Sequence, residues 1–230
     1  MTDVGANCRE VLQHIGEAAA RCGRSANEIR LLAASKSQGV DKIQAAIEAG
    51  IRLFGENYVQ EIQEKKSAVR GSIEWHMIGH LQRNKAKAAL DLFDLVQSLD
   101  SAELARALDK EGRKREQVVR AFVEVNLAAE KNKVGIAPGR VAALLEESGK
   151  LPHIRIEGLM TVPPFREDPE DVRPYFRALR ELRDELEAIK FPNVDLKELS
   201  MGMTHDYPVA IEEGATLVRI GTAIFGPRGE

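Results

Sequence analysis

The chain has 230 residues, enough for one large or two small domains, and its 43% hydrophobic and 30% charged residues are typical of a soluble globular protein. Lysine and arginine number 33 against 36 acidic residues, so the net charge is −3, which argues against nucleic acid as the main partner. No apolar run approaches the ~20 residues of a membrane span. Charges interrupt the first twenty positions, where a signal peptide would need an apolar core.

The two cysteines, Cys8 and Cys22, fall in one predicted N-terminal helix. At ~1.5 Å rise per residue they would lie about 21 Å apart, which is too far for a disulfide within that helix. No group of histidine and cysteine residues has the spacing of metal ligands. We therefore expect a cytoplasmic monomer with no disulfide, no metal and no membrane contact.

Eight runs of apolar or alternating residues predict strands, and amphipathic stretches that predict helices lie between them. Asp41 and Gly50 are typical of the start and stop of the helix after the first strand. The clearest helix is predicted over residues 174–189, because apolar residues recur there every three or four positions and Pro174 suits a first turn. In chain order, the predicted strands are 29–36, 51–55, 73–78, 92–98, 118–127, 154–160, 196–200 and 216–220.

This order of elements is that of an α/β protein built as a single (β/α)8 TIM barrel with an extra N-terminal helix. A doubly wound open sheet is the alternative, and the count of eight strands favours the barrel. The chain contains no linker-like or low-complexity stretch. We therefore expect residues 1–230 to form one domain.

The first predicted strand ends on Lys36 after five uncharged residues. In a barrel, the carboxyl ends of the strands form the active face. Alternation puts Lys36 on the same side as Ala34 and Leu32, and the small Ala34 would leave room for a planar ligand. A desolvated lysine whose pKa lies below its usual ~10.4 can form a Schiff base. A solvated surface charge is the alternative interpretation of this residue.

Strands seven and eight each run into a turn that contains glycine, at residues 200–204 and 219–222. The loops after these two strands commonly hold phosphate in such barrels. Gly202 and Gly221 would let backbone N–H groups approach phosphate oxygens, while Ser200 and Thr222 would add hydroxyl donors. An ordinary turn is the alternative for either glycine alone.

Arg219 shares one side of strand eight with Gly221, so it is predicted to point into the barrel mouth below the phosphate site. It could clamp phosphate, meet the ring nitrogen of a heteroaromatic ligand, or pair with an interior carboxylate. The third alternative arises because strands five and six carry polar residues at every second position, and therefore on one side of each strand. We expect this side to face the lumen, where charges must pair or stay hydrated. Those polar residues are Glu124, Asn126, Arg155 and Glu157.

A lysine suited to imine formation and a phosphate site on another part of the rim together indicate a phosphorylated aldehyde, and pyridoxal 5′-phosphate (PLP) fits both. Six blocks in one order also resemble the pyridoxal phosphate homeostasis proteins, the YggS/PROSC family, whose single barrel is similar to the N-terminal domain of alanine racemase. The blocks are Leu-Ala-Ala-Ser-Lys at 32–36, Phe-Gly-Glu-Asn-Tyr-Val-Gln-Glu at 54–61, His-Met-Ile-Gly-His-Leu-Gln-Arg-Asn-Lys at 76–85, Gly-Leu-Met-Thr at 158–161, Leu-Ser-Met-Gly-Met at 199–203 and Val-Arg-Ile-Gly-Thr-Ala-Ile-Phe-Gly at 218–226.

The resemblance implies a role for each matching position. Lys36 would form the internal aldimine with PLP, and Arg219 would face the pyridine nitrogen. Asn57 would contact the cofactor near its ring, with capping of the following helix as its alternative. His80 and Lys85 line the mouth without an assigned role. The remaining cofactor-binding residues, mostly around the phosphate, are Ser200, Gly202, Met203, Gly221 and Thr222.

Two segments depart from the pattern of the family. After Thr204 the chain reads His205-Asp206-Tyr207-Pro208, where family members commonly have a small or acidic stretch without proline. We expect Asp206 to cap the next helix and Pro208 to lie in its first turn. The loop at 130–135 matches the family only approximately, so its lysines are left out of the predicted site.

The resemblance implies a carrier that holds PLP as a reversible lysine aldimine and serves intracellular PLP homeostasis and delivery. PLP-dependent apo-enzymes are the candidate partners, and no catalytic turnover is established for the family. The main alternative is a fold-type III PLP enzyme, an amino-acid racemase or decarboxylase. The racemase has a second domain and takes a second base from a partner subunit, and this chain has no residues left for such a domain. A Schiff-base aldolase acting on a phosphosugar is a third class, which the family motifs oppose.

Overall fold

The computed structural model describes residues 2–128 and 134–227. Eight parallel strands close into one barrel in the order β1 to β8, which confirms the predicted (β/α)8 barrel and excludes the open sheet. The strands are β1 (Arg30–Ala34), β2 (Leu53–Glu56), β3 (Glu74–Met77), β4 (Leu95–Leu99), β5 (Val119–Glu124), β6 (Ile154–Met160), β7 (Val194–Ser200) and β8 (Leu217–Ile220).

One α-helix follows each strand, and an extra helix precedes β1, as predicted. Pro174 lies in the first turn of α7, which confirms the helix predicted over 174–189 to within two residues at each end. The cap predicted at Asp41 is wrong, because α2 already begins at Val40 and Gly39 is its N-cap. The helices are α1 (Val4–Arg21), α2 (Val40–Glu48), α3 (Val59–Lys66), α4 (Ala86–Leu92), α5 (Ala102–Lys114), α6 (Val141–Gly149), α7 (Arg173–Glu187), α8 (Tyr207–Glu212) and α9 (Thr222–Phe225).

Alternation along the strands divides the buried apolar residues into two cores. Leu31 and Ala33 of β1 belong to the larger core between the strands and the helices. Leu32 faces the lumen, with Ala34 packed beside it, as the sequence pattern predicts. The lumen core consists of Leu32, Leu53, Leu95, Phe122, Met160 and Leu217.

Strand β6 follows the predicted alternation in its first half, where Ile154 and Ile156 belong to the core between the strands and the helices. The pairing register shifts between Ile156 and Gly158 on the side of β7, so the strand is bulged there. Arg155 precedes this shift and shares one side of the strand with Glu157; its side chain is 52% exposed and pairs with Asp195 and, at 3.9 Å, with Glu157. Glu157 does contact a lumen residue, since it accepts a hydrogen bond of 2.8 Å from Nε of Arg120.

The N-terminal end of the barrel is filled by paired charges. Glu74 accepts hydrogen bonds from Nη2 of Arg30 at 2.7 Å and from Nη1 of Arg120 at 2.9 Å. Arg120 also binds Glu157. The expectation that lumen charges pair is therefore confirmed at this end, where half-buried ions would otherwise lose hydration without compensation.

Side chains of α1 and α2 form hydrogen bonds with the C-terminal helix α9. Nδ2 of Asn7 donates to the carbonyl oxygen of Ile224 at 2.9 Å, and Nζ of Lys42 on α2 donates to the carbonyl oxygen of Phe225 at 2.8 Å. These bonds hold α9, and with it the turn after β8. Cys8 is buried in α1, Cys22 follows it, and both thiols are free, as predicted. Within the ranges described, no helix is both long and apolar enough to cross a bilayer.

Candidate functional site

The predicted lysine and the predicted phosphate turn meet along one seam of the barrel. Strands β1 and β8 pair Leu32 with Arg219 and Ala33 with Ile220. Gly221 therefore lies beside Ala34, and Lys36 follows two residues further toward the C-terminal mouth. A Cβ atom on Gly221 would lie 3.3 Å from the carbonyl oxygen of Ala34, so the backbones approach closely here.

The backbone before Lys36 is held by a buried ion pair. Oγ of Ser35 donates to Oε1 of Glu56 at 2.7 Å. Nζ of Lys65 donates to the same carboxylate oxygen at 2.9 Å and to the carbonyl oxygen of Ser35 at 3.0 Å. Glu56 is fully buried, and burial raises the pKa of its carboxyl group even though Lys65 and Ser35 act to lower it. Strand β1 is thus tied to β2 and α3 just below the lysine.

The backbone after Lys36 is held as well. Ser37 adopts a left-handed conformation with φ of 60°, and its N–H donates to Oε2 of Glu61 at 2.9 Å. Hydrogen bonding from Ser37 and the charge of Lys65 lower the pKa of Glu61, although burial opposes them. Lys36 therefore projects from a segment that is fixed on both sides.

Arg219 lies below this segment and is 5% exposed. Its Nη1 donates to Oγ of Ser200 at 2.6 Å, and its Nη2 donates to the carbonyl oxygen of Thr161 at 2.8 Å. Burial lowers the pKa of Arg219 to about 10, while the charges of Glu124 and Asp206 act to raise it. The guanidinium therefore stays cationic at neutral pH. In residues 2–128 and 134–227 no carboxylate forms an ion pair with it, so the interior-carboxylate alternative is not what the structure shows.

Ser200 is fully buried and its hydroxyl already has two partners. It accepts from Arg219 and donates its proton to Oε1 of Gln97 at 2.6 Å. The hydroxyl is therefore committed to holding Arg219, although the sequence predicts it as a phosphate donor. Gln97 was missed by the sequence analysis.

Gly202 lies at the end of β7 with φ of +92°, a conformation that favours glycine. A Cβ atom there would lie 2.6 Å from Cβ of Ala210 and 2.9 Å from Cα of Tyr207. The N–H of the next residue, Met203, donates to Oδ1 of Asp206 at 2.6 Å. The turn after β7 is thus closely packed, and its Met203 N–H is already bonded within the protein.

The turns after β7 and β8 lie against each other. The N–H of Ala223 donates to Oγ1 of Thr204 at 3.4 Å. Thr222 is exposed and begins α9 directly after Gly221. Pro208 occupies the first turn of α8, as predicted. Asp206 is the N-cap residue of α8, as predicted, but its side chain makes no cap hydrogen bond, because its carboxylate accepts from the N–H of Met203 instead.

Asn57 follows β2 and is half-buried at the mouth. Its backbone packs against Gly79, where a Cβ atom would lie 2.7 Å from Cα of Asn57. Helix α3 has Tyr58 as its N-cap and no side-chain cap, so the structure does not support the capping alternative for Asn57. His80, from the neighbouring loop, lies 3.3 Å from a carboxylate oxygen of Asp100.

Two further features complete the mouth. Glu124 at the end of β5 is 8% exposed, and burial together with the charge of Asp100 raises its pKa to about 7 against the opposing charge of Arg219. The alternating pattern of β5 indicated this side chain, but the sequence analysis gave it no role.

Of the loop at 130–135, residues 130–133 lie outside the described residues, and Gly135 has φ of +104°.

The comparisons with known proteins agree with the resemblance seen in the sequence. The alanine racemase N-terminal domain family matches residues 9–229. A pyridoxal phosphate homeostasis protein of Aquifex aeolicus is 47% identical over 219 residues, which cover 95% of each chain. PipY of Synechococcus elongatus PCC7942, solved with PLP bound, has a TM-score of 0.82 at 33% identity and covers 94% of this chain and 100% of its own.

An alanine racemase of Clostridium difficile shows the shared fold at lower similarity. Its TM-score is 0.76 at 13% identity, covering 98% of this chain but 58% of the racemase chain. The similarity to the racemase is thus one of fold, whereas the similarity to the homeostasis proteins extends to sequence over nearly the whole length. This chain belongs to the pyridoxal phosphate homeostasis protein family, whose barrel is that of the alanine racemase N-terminal domain.

Proposed function

We propose that this chain binds PLP at the C-terminal mouth of the barrel and holds it reversibly through Lys36, as part of PLP homeostasis and delivery. Nζ of Lys36 would add to the aldehyde carbon and water would leave, forming a Schiff base that hydrolysis returns to free lysine and aldehyde. The bound PLP of PipY, a relative at 33% identity, supports the identity of the ligand. PLP-dependent apo-enzymes are the partners that this function requires.

The residues at the mouth fit this cofactor. Gly221 has no side chain to cover the turn after β8, so a phosphate group can approach the N–H donors of this turn. Arg219 supplies a buried cation whose remaining N–H groups can face a ring nitrogen or an anion. When bound, PLP supplies a reactive aldehyde, and the chain supplies the amine, the phosphate contacts and the exclusion of water.

We assign the roles as follows. Lys36 forms the covalent link, Arg219 faces the ring nitrogen, and Asn57 contacts the ring from the β2 side. Ser200 acts through Arg219. The phosphate is surrounded by the turns after β7 and β8, which contain Gly202, Met203, Gly221 and Thr222.

The observation that carries the proposal is the seam between β1 and β8. It brings Lys36, whose neighbouring backbone is hydrogen-bonded on both sides, beside the glycine turn after β8 and above the buried Arg219. A solvated surface lysine would need none of these supports. The seam therefore favours a covalent role for Lys36.

Borohydride reduction of the PLP-loaded protein, followed by peptide mapping, tests the assignment. We expect the pyridoxyl group on Lys36. Lys36→Ala should lose the visible absorption band of the imine, whereas Lys85→Ala, which changes a lysine of the β3–α4 loop, should keep it. Labelling at another lysine, or an unchanged band in Lys36→Ala, would overturn the proposal.

Delivery is tested separately. The loaded protein is mixed with a PLP-dependent apo-enzyme, either directly or across a dialysis membrane, and recovery of the apo-enzyme's activity is followed. Faster recovery on direct mixing indicates delivery by contact. Equal rates indicate release of free PLP, and no recovery in either arm contradicts a delivery function.

One observation favours a second candidate function. Glu124 carries a carboxyl group whose pKa is raised to about 7, next to Arg219 at the mouth. A group that titrates near neutrality is suited to general acid–base catalysis. A fold-type III enzyme, a racemase or decarboxylase, is therefore the second candidate, and exchange of the α-proton of added amino acids in D₂O separates the two.

A further inference from the structure

A chain of hydrogen bonds crosses the lumen from Arg219 at the mouth to the N-terminal end of the barrel. Nη1 of Arg219 bonds to Oγ of Ser200 at 2.6 Å, and Oγ of Ser200 bonds to Oε1 of Gln97 at 2.6 Å. Nε2 of Gln97 lies 2.8 Å from Nδ1 of His76, whose Nε2 lies 2.9 Å from Oε1 of Glu74. The three middle residues are fully buried and come from β7, β4 and β3.

The two ends of this chain fix the direction of every hydrogen bond in it. A guanidinium only donates and a carboxylate only accepts. Ser200 must therefore give its proton to the oxygen of Gln97, and the amide nitrogen of Gln97 must donate to His76. Nδ1 of His76 is then the acceptor and Nε2 carries the proton that goes to Glu74. The reversed amide of Gln97 would leave the Ser200 proton without an acceptor.

Both ends are anchored. Glu74 also accepts from Arg30 and Arg120, and its pKa is lowered to about 2, chiefly by its hydrogen bond with His76, so it remains an acceptor at any ordinary pH. At the mouth, Nη2 of Arg219 is held by the carbonyl oxygen of Thr161. The guanidinium is therefore held by two hydrogen bonds, one to Thr161 and one to Ser200. The bond to Ser200 depends on the hydrogen-bonded chain through Gln97 and His76.

We propose that His76 and Gln97 are positioning residues that, through Ser200, hold the Arg219 guanidinium in the orientation in which it meets the cofactor ring. This proposal rests on the proposed function. Breaking the chain at any link leaves a buried polar group without a partner, which is costly. Without Gln97, the hydroxyl of Ser200 has no fixed orientation, so the edge of Arg219 that donates to it is no longer held toward the ring.

Ligand discrimination tests this role. We compare the dissociation constants of PLP and of 1-deaza-PLP, in which a carbon replaces the ring nitrogen while the aldehyde and phosphate remain. Gln97→Met removes both links of Gln97 at similar side-chain volume. We expect PLP binding to weaken roughly tenfold, and 1-deaza-PLP binding less than about twofold, because only the ring contact is lost.

Leu95→Met is the matched control, since Leu95 lies in the same strand and faces the lumen without joining the chain. It should leave the preference for PLP over 1-deaza-PLP unchanged. Gln97→Met with an unchanged preference would overturn the proposal, even if both ligands bound more weakly. Failure of the wild-type protein to bind PLP would instead overturn the proposed function.

A second measurement needs neither cofactor nor a folded variant of Gln97. Nitrogen-15 NMR of histidine-labelled wild-type protein at pH 7, assigned with His76→Gln, reports which ring nitrogen carries the proton. We expect His76 to be neutral, with the proton on Nε2. A proton on Nδ1, or a doubly protonated ring, would contradict the direction of the chain and overturn the proposal.

Discussion

At the scale of single residues, Gly221 sets how closely a ligand can approach the end of β8. A Cβ atom there would already lie 3.3 Å from the Ala34 carbonyl oxygen, so a larger side chain has little room between β1 and β8 and is expected to extend toward the proposed phosphate site. We expect Gly221→Val to weaken PLP binding more than tenfold and to weaken pyridoxal binding much less, because the added group blocks the phosphate. Equilibrium titration with both ligands measures the difference.

A matched control exists for this change. Gly139 has no atom near the place where its Cβ would stand, and it lies in the turn before α6, outside the turns after β7 and β8 that are proposed to surround the phosphate. Gly139→Val should therefore leave both affinities unchanged. Equal losses for PLP and pyridoxal in Gly221→Val would place the phosphate elsewhere.

The raised pKa of Glu124 predicts that the stability of the folded protein depends on pH. Burial raises its pKa from 4.5 to about 7, so the folded protein binds a proton more tightly than the unfolded chain. Stability is therefore lost as pH rises from about 4.5 to about 7, on the order of 3 kcal/mol for this one group. Glu124→Gln does not titrate and should escape that loss.

Urea denaturation of the cofactor-free protein at pH 4.5 and pH 8 measures this difference. Relative to wild type, Glu124→Gln should be more stable at pH 8 by up to ~3 kcal/mol and nearly equal at pH 4.5. Glu146→Gln, at an exposed position of α6, is the control and should change neither. The same difference at both pH values would show that Glu124 has an ordinary pKa.

At the scale of elements, helix α3 supports the end of β1 through Lys65. This ammonium group is 11% exposed and bonds to fully buried Glu56. Lys65→Met would leave the carboxylate buried without a cation, so we expect a loss of about 3 kcal/mol in unfolding free energy. Lys66→Met, at an exposed lysine one residue on, should cost much less.

A double-mutant cycle separates this pair from general damage to α3. Adding Glu56→Gln to Lys65→Met removes the uncompensated charge. The double variant should therefore be more stable than the sum of the single effects implies, by at least ~1 kcal/mol. Additive effects would mean that the two side chains do not stabilise each other.

The fold of these elements was largely predictable because local pattern determines it. Alternation along β1 identified Leu32 and Ala34 as lumen residues, and the structure confirms this. The bulge in β6 was not predictable, since it arises from how β6 pairs with its neighbours.

The candidate site was predictable where a residue type carries its own chemistry. Lysine at a strand end and glycine in a turn are visible in the sequence, and Lys36 and Gly221 do lie on one seam. The residues that hold Lys36 and Arg219 in place were not visible in the sequence. Gln97 contacts Ser200 over 103 positions, and Lys65 contacts Ser35 over 30, so both contacts exist only after the barrel closes.

At the scale of the whole molecule, the two ends of the barrel carry different arrangements of charged side chains. The N-terminal end holds paired ions that neutralise one another, as Glu74 does with Arg30 and Arg120. The mouth holds a cation, Arg219, and a carboxyl group, Glu124, without an ion pair between them among the described residues. The hydrogen-bonded chain through Gln97 and His76 connects the two ends.

This distribution predicts weak chemistry on amino acids. Arg219, with its pKa of about 10, holds its protons far more strongly than a pyridine nitrogen does, so the ring nitrogen should stay unprotonated and withdraw electrons poorly. We therefore expect the loaded protein to carry out no racemisation or decarboxylation above background.

Incubation of the loaded protein with L-alanine and other amino acids in D₂O, followed by proton NMR of the α-position, measures this directly. We expect α-proton loss no faster than with free PLP at the same concentration. Lys36→Ala with added PLP serves as the matched control, and its rate should equal that of the loaded wild type. Sustained multiple-turnover exchange that disappears in Lys36→Ala would establish an enzyme. Its dependence on Glu124, tested with Glu124→Gln, would then identify the base, because only a group that takes the α-proton should remove the exchange while leaving PLP bound.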